Sequence, residues 1–98
     1  MLIQSVVQNE ADRNEKMIRQ YEDLIRDLPR GSLICRKKEY YYLKYREGGK
    51  IHDEYIGKDP EIVAAIRNKL EQRKHYAQML SALKQEQKAI RKILEGLA

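Results

Sequence analysis

Tryptophan and phenylalanine are absent from this 98-residue sequence, and it has two prolines and one cysteine. The single cysteine, Cys35, excludes an internal disulfide and a cysteine-based zinc site, because one thiol cannot form either. No apolar run approaches the roughly 18 residues that a transmembrane helix needs. The first residues also lack the charged start and apolar middle of a signal peptide. We therefore expect a soluble, cytoplasmic protein that does not span a membrane.

Charge is distributed unevenly along the chain, although the net charge is a moderate +5. Residues 1–31 hold five basic and six acidic groups, residues 32–58 hold seven and four, and residues 59–98 hold eight and five. The basic excess therefore begins in the middle of the sequence and continues to its last third. Such asymmetry is the usual electrostatic footprint of a polyanion partner.

Apolar residues at the start of the chain predict a helix within residues 1–30. They recur in steps of four and three, the spacing of a packed helix seam. Pro29 disfavours helical geometry in the residue before it, and Gly31 follows, so the helix is predicted to end there. The predicted seam positions are Ile3, Val7, Glu10, Asn14, Met17, Tyr21, Leu24 and Leu28, and Val6, Ile18 and Ile25 widen this stripe to the face that a packed helix buries.

The segment 37–58 contains five of the seven tyrosines and six basic residues, and its pattern changes from helical to alternating. Gly48-Gly49 supplies the positive φ angles of a two-residue hairpin turn. A small antiparallel sheet is therefore predicted within residues 32–57. Its strands are expected at 33–36, 40–47 and 50–56.

That turn also predicts the register and the two faces of the hairpin. Leu43 marks the face that we expect to lie on the helices, and Tyr42 marks the face that we expect to be exposed. The pairing combines opposite charges and aromatic contacts, each worth up to about 1 kcal/mol. The predicted cross-strand pairs are Glu47–Lys50, Lys44–Asp53, Tyr42–Tyr55 and Tyr41–Ile56.

Asp59, Pro60 and Glu61 predict the start of a second helix, with Asp59 as the N-cap and Pro60 in the first helical position. Helical spacing then continues within residues 59–96. A continuous helix of this length, about 50 Å, is longer than the first helix can cover. We expect that it either breaks near 73–75 or pairs its exposed end with another copy of the protein.

These elements predict a single domain over residues 1–98 with an α+β fold. It consists of an N-terminal helix, a small antiparallel sheet of two or three strands, and a long or broken C-terminal helix. The C-terminal helix is expected to pack antiparallel on the first.

The exposed face of the hairpin is a candidate nucleic-acid site. Aromatic rings stack on unpaired bases and basic groups neutralise phosphates, while a two-stranded ribbon can enter a DNA major groove. A structural role is the alternative, because tyrosine favours strands and lysine protects sheet edges. The candidate contact residues are Tyr40, Tyr42, Lys44, Arg46 and Tyr55, helped by Lys37, Lys38, Lys50 and Lys58.

The stretch YYYLKYREGGKIHDEYIGK resembles a hairpin pattern of small uncharacterised prokaryotic proteins and of the N-terminal region of some insertion-sequence transposases. The matching positions are Tyr40–Leu43, Tyr45–Lys50 and Tyr55–Lys58. In the transposases this module precedes a catalytic domain that handles DNA ends, so the resemblance implies DNA as the partner. It implies no transposase activity, because no catalytic domain follows here.

The sequence predicts no catalytic, metal or cofactor site. His52 and His75 lack the spacing of a metal site, and Cys35 is expected to be a small buried residue. We therefore predict a non-enzymatic nucleic-acid-binding module. The alternative is a protein-interaction or oligomerisation module, with a homodimer formed through the C-terminal helical segment.

Overall fold

In a computed structural model that describes residues 2–97, two helices flank a three-stranded antiparallel sheet along the chain. The predicted α+β class and order of elements are confirmed. Of the two alternatives for the C-terminal helix, long or broken near 73–75, the structure has the long one, because the second helix is continuous. The elements are α1 (Leu2–Arg26), β1 (Ser32–Arg36), β2 (Tyr40–Glu47), β3 (Lys50–Gly57) and α2 (Pro60–Leu97).

The described residues form two compact units that share α2. The helical unit contains α1 and the part of α2 from His75 onward, and the sheet unit is Leu28–Lys74. In the sheet unit, Val63 of α2 is buried, and the Arg67 guanidinium lies 5.9 Å from the ring centre of Tyr41. The sheet therefore accompanies the first part of α2, which explains how one helix can exceed the length of α1.

In the helical unit, α1 packs antiparallel on α2. The Asn14 Nδ2 donates to the Leu83 carbonyl oxygen at 2.9 Å, and the rings of Tyr21 and Tyr76 meet edge to face at 5.6 Å. The residue numbers of both pairs add to 97, so residue n of α1 lies at the level of residue 97 − n of α2. The antiparallel packing predicted from the sequence is confirmed.

The buried stripe of α1 differs from the predicted seam. Val7, Asn14, Met17 and Tyr21 of the seam are buried or half-buried, whereas Ile3, Glu10 and Leu24 are exposed. The helix is rotated so that Ala11 rather than Glu10 lies toward α2, which spares the Glu10 carboxylate a costly desolvation. The buried and half-buried positions are Val7, Ala11, Asn14, Met17, Ile18, Tyr21 and Ile25.

Asn14 is a polar residue in the core of the helical unit, with 2% of its surface exposed. Its Oδ1 is buried and has no hydrogen-bond partner among the described residues. A polar residue in a helix seam fixes register at a cost in stability, and an unsatisfied buried polar atom costs about 1–3 kcal/mol. Asn14 therefore links α1 to α2 through its hydrogen bond to Leu83, while its unsatisfied oxygen weakens their packing.

We expect Asn14→Leu to raise the free energy of unfolding by about 1 kcal/mol, because it removes the unsatisfied oxygen and adds apolar contact. Urea denaturation measures the change. Asn9→Leu, at an exposed position of the same helix, is the control and is expected to stay within about 0.5 kcal/mol. A large loss of stability in Asn14→Leu would show that the amide contributes more than it costs.

The connection from α1 to the sheet begins earlier than predicted. The helix ends at Arg26 rather than near residue 30, and Arg73 Nη1 donates to the Leu28 carbonyl oxygen at 2.9 Å. Arg73, a polar residue in the apolar pattern of α2, thus binds the backbone beyond α1. At the start of α2, the Glu61 amide donates to Asp59 Oδ1 at 2.9 Å, which confirms the predicted N-cap.

The sheet has the strand order β1-β2-β3, and the predicted pairs nearest the Gly48-Gly49 turn are confirmed. The predicted pair Tyr41–Ile56 is wrong, because Tyr41 lies opposite Gly57. A β-bulge inserts Ile56 as an extra residue on β3. Gly57 has a φ of 112°, a backbone conformation that side-chain-bearing residues rarely adopt. The confirmed pairs are Glu47–Lys50, Lys44–Asp53 and Tyr42–Tyr55.

The two faces of the sheet differ as predicted. Leu43 is buried and Tyr41 contacts Arg67 of α2, so this inner face lies toward the helix. We call the opposite face, which carries Tyr42 and Lys44, the outer face. The β1–β2 register adds Arg36 to it, because Arg36 lies opposite Tyr40. The outer face therefore carries three of the sheet's five tyrosines together with its arginine and lysine side chains from β1 and β2.

Candidate nucleic-acid interface

The turn between β1 and β2 has an unusual backbone. Lys37 and Lys38 adopt φ angles of 56° and 62°, and the Glu39 amide donates to the Arg36 carbonyl oxygen at 3.3 Å. This is the geometry of a type I′ turn, whose central positions favour Asn-Gly. A left-handed conformation costs a residue with a Cβ roughly 1–2 kcal/mol. The chain therefore has lysine at two positions where Asn and Gly, which adopt positive φ angles at lower cost, are usual.

Beside this turn, three tyrosines and an arginine form a cluster on the outer face. The Arg36 guanidinium lies 4.7 Å from the ring centre of Tyr42, and the Tyr42 and Tyr55 rings are 5.3 Å apart. Tyr40 completes the cluster, 6.4 Å from Tyr55. Tyr42 is half-buried among these neighbours, whereas Tyr55 is 57% exposed. Tyr55 is therefore the ring most available to a ligand.

The cluster lines a shallow depression with a volume of about 620 Å³. Asp53 Oδ2 lies 2.7 Å from the Arg36 guanidinium and orients it over Tyr42. Two cationic groups thus stand beside aromatic rings, which is the combination that binds a planar base together with its phosphate. The lining residues are Arg36, Lys37, Tyr40, Tyr42 and Tyr55.

Six of the nine predicted contact residues lie at this end of the sheet. Four of them belong to the cluster or its depression, and Lys38 is the other central residue of the adjoining turn. Lys58 forms an exposed ion pair with Glu39 of the same turn, at 3.7 Å. Exposed pairs of this kind contribute little to stability, so the Lys58 ammonium can exchange partners.

The other three predicted residues lie farther along the outer face or at the Gly48-Gly49 turn. Lys44 pairs in register with Asp53, Arg46 with Ile51 and Lys50 with Glu47. About 20 Å of strand separates Tyr40 from Arg46 at ~3.3 Å per residue. The structure therefore does not bring these residues into the depression.

Arg36 is the residue of the cluster that sequence reasoning did not include among the candidates. The sequence pattern places it only at the end of the predicted strand 33–36. The feature of the sequence that could have identified Arg36 is the short connection between β1 and β2. A turn centred on Lys37 and Lys38 places Arg36 directly opposite Tyr40. The expectation that Cys35 is buried is wrong, since its thiol is exposed on the edge strand.

His52 lies on the inner face of the hairpin, outside the cluster. His52 stacks on Tyr45, with ring centres 5.4 Å apart, and its Nε2 lies 3.3 Å from the Glu47 carbonyl oxygen. Within residues 2–97, histidine, cysteine and carboxylate side chains form no group that could hold a metal ion. In the same part of the chain, no helix has the length and apolar character to cross a membrane.

Comparison with known families gives one match. The family model for a domain of unknown function (DUF6788) matches residues 7–65, which cover most of α1, the whole sheet and the start of α2. Neither the curated proteins nor the solved structures contain a match. The resemblance of the hairpin to transposases stays a prediction. Because the family model covers more than half of the chain, the protein belongs to the DUF6788 family.

Proposed function

We propose that this protein is a non-enzymatic module that binds single-stranded nucleic acid through the outer face of its sheet. The observation that carries the proposal is the depression in which Arg36 and Lys37 stand beside the exposed ring of Tyr55. A base stacked on Tyr55 would have its phosphate within reach of both cations. Base stacking on an aromatic side chain contributes about 1–3 kcal/mol.

The strained turn argues for a role beyond sheet packing. Tyrosines that merely pack on one another would be served equally well by a turn of low strain. The turn instead exposes two lysines in left-handed conformations, and such strain is concentrated at functional sites. The positive charge of Lys37 and Lys38 at the edge of the aromatic cluster therefore favours an anionic ligand.

The width of the sheet favours a single strand over a duplex. A two-stranded ribbon fits the major groove, which is about 12 Å wide. Here β1 adds a third strand beside β2, so the backbones of the outer strands are already about 10 Å apart before side chains are counted. A flat, partly aromatic face of this width suits unpaired bases better.

Lys44 and Arg46 extend the proposed site along β2. Both are exposed and share the outer face with Tyr40 and Tyr42. A bound strand would thus pass from the depression toward the Gly48-Gly49 turn, with phosphates near these two side chains. Asp53 is the acidic side chain among the outer-face residues of β2 and β3, and Arg36 neutralises it. The resemblance of the hairpin to transposases supports testing DNA first.

Titration of labelled single-stranded and duplex DNA and RNA at two salt concentrations tests the proposal. We expect the single strands to bind more tightly than the duplexes and the affinity to fall steeply with salt, since each neutralised phosphate adds about 0.7 to the logarithmic slope. Tighter binding of duplex would contradict the stacking mode. No binding of any form at low salt would overturn the proposed function.

Tyr55 gives a sharper test of stacking. We expect Tyr55→Leu to weaken single-strand binding about tenfold, because a base loses its stacking partner. Tyr55→Phe keeps the ring and is the matched control, so its affinity is expected to stay within about twofold of the wild type. Equal losses in the two variants would show that the hydroxyl, rather than the ring, makes the contact.

A further inference from the structure

An ion pair crosses the outer face of the sheet above one ring of the aromatic cluster. Arg36 lies on β1 and Asp53 on β3, with β2 between them. Arg36 is opposite Tyr40 on β2. Asp53 is opposite Lys44, so Tyr42 lies midway between these two positions. The Arg36 guanidinium meets Asp53 Oδ2 at 2.7 Å and lies 4.7 Å from the ring centre of Tyr42. The ion pair therefore passes over this ring.

Asp53 pairs with Arg36 although a second cation lies on the neighbouring strand. Lys44 is the direct partner of Asp53 in the β2–β3 register, a position from which opposite charges stabilise a sheet. The Lys44 side chain is exposed and forms no ion pair with any residue from 2 to 97. The carboxylate thus has two cationic neighbours and binds the one that lines the depression.

The carboxylate of Asp53 binds Arg36 as a phosphate group would. The guanidinium fork binds carboxylates and phosphates alike through charge-assisted hydrogen bonds. Both partners are partly open to solvent, with 52% of the Arg36 side chain and 35% of the Asp53 side chain exposed, and exposed ion pairs are weak. A phosphate that enters the depression can therefore replace the carboxylate, which then has Lys44 beside it.

We infer that Asp53 competes with the nucleic acid for Arg36 and thereby lowers the affinity of the outer face for single strands. The inference rests on the proposed function, because the competing ligand is the phosphate of a bound strand. Binding of this phosphate to Arg36 requires the ion pair to break, and that loss reduces the net free energy of binding. The Asp53 carboxylate also repels a phosphate placed beside it. Asp53 therefore sets the affinity of the site without contacting the ligand.

Anisotropy titration of a labelled single-stranded DNA with the Asp53→Asn variant tests the inference. The amide keeps the size of the side chain and a hydrogen-bond acceptor while it removes the charge. We expect the affinity to rise about fivefold, because binding no longer breaks an ion pair and the repulsion is gone. Glu54→Gln is the matched control and is expected to change the affinity less than about twofold. Glu54 is the next residue of β3 and is also exposed, but it lies opposite Leu43 and therefore on the inner face.

A double-mutant cycle separates this competition from a general effect of net charge. In an Arg36→Gln background, Asp53→Asn is expected to change the affinity less than about twofold, because the cation that it would release into the depression is already gone. Urea denaturation verifies that each variant is folded. An equal gain in Glu54→Gln, or in the Arg36→Gln background, would overturn the inference, since net charge alone would then account for it.

The outcomes for Asp53→Asn distinguish this inference from the proposed function. If the wild type binds single strands and Asp53→Asn binds them no more tightly, the competition is refuted while the proposed function stands. Weaker binding by Asp53→Asn would show instead that the carboxylate positions Arg36 for the ligand. If neither protein binds a single strand at low salt, the proposed function and this inference are both wrong.

Discussion

Replacing Lys37 and Lys38 by Asn and Gly is expected to weaken single-strand binding about 30-fold while making the protein more stable. Two phosphate contacts at about 1 kcal/mol each account for the loss. Asn-Gly is the preferred pair for a type I′ turn, and relief of two left-handed lysines is expected to add about 1 kcal/mol to the free energy of unfolding. Anisotropy titration and urea denaturation measure the two effects.

The opposite signs of these effects separate function from folding. A variant that binds less because it is damaged would also lose stability, whereas this one gains it. Lys84→Gln with Lys88→Gln removes the same charge from exposed positions of the helical unit and is expected to change affinity less than threefold. The salt slope of the turn variant is expected to fall by about 1.4, at 0.7 per phosphate. Unchanged affinity in the turn variant would remove the lysine pair from the site.

Gly31→Ala is expected to destabilise the protein by about 3 kcal/mol, which corresponds to a fall of at least 10 °C or so in Tm. Gly31 has a φ of 114°, and an added Cβ would collide with the carbonyl oxygen of Lys44. The clash involves backbone on both sides, so a side-chain rotation cannot relieve it. The strand β1 would have to move away from β2.

Gly96→Ala is the control for this substitution. Nothing lies within 4 Å of a Cβ at Gly96, which is helical, and Ala is favoured over Gly in a helix by up to about 1 kcal/mol. We therefore expect no loss of stability there. If Gly31→Ala unfolds at the same urea concentration as the wild type, the close approach of β1 to β2 is not as the structure describes it.

The strands could be predicted because their signals are local. Gly48-Gly49 determines the turn, and the turn determines the pairs Glu47–Lys50 through Tyr42–Tyr55. The sequence did not predict the bulge at Ile56, because the predicted register continued from the turn through successive residue pairs without an extra residue on either strand. Gly57 was the available signal, since a glycine at the end of a strand often marks a bulge. The turn at Lys37 and Lys38 carried no such signal, because lysine rarely adopts a left-handed conformation.

The helices illustrate a different limit of sequence reasoning. Two stripes of α1 have helical spacing and share Asn14 and Ile18, but one includes Glu10 and Leu24 and the other includes Ala11. The choice between them depends on the partner surface, which a periodic pattern does not describe. The continuity of α2 was likewise decided by tertiary structure, because the sheet accompanies the part of the helix that extends beyond α1.

The same limit applied to the site. The alternation of β2 identified Tyr40 and Tyr42 as neighbours on one face, and the register added Tyr55. Arg36 joins the cluster because β1 pairs with β2. The sequence predicted a register only for β2 and β3. The distant residues Lys44 and Arg46 were placed on the correct face, but their distance from the depression followed only from the structure.

The most direct test of the proposed interface is a two-dimensional ¹H–¹⁵N NMR titration of the wild-type protein with a short single-stranded DNA. We predict that the largest chemical-shift changes occur at residues 36–42 and at Tyr55, with smaller changes at Lys44 and Arg46. Amides of the helical unit, such as that of Lys84, are expected to stay unchanged. Changes concentrated on the helical unit, or none at all at saturating DNA, would contradict the assignment of the outer face as the binding surface.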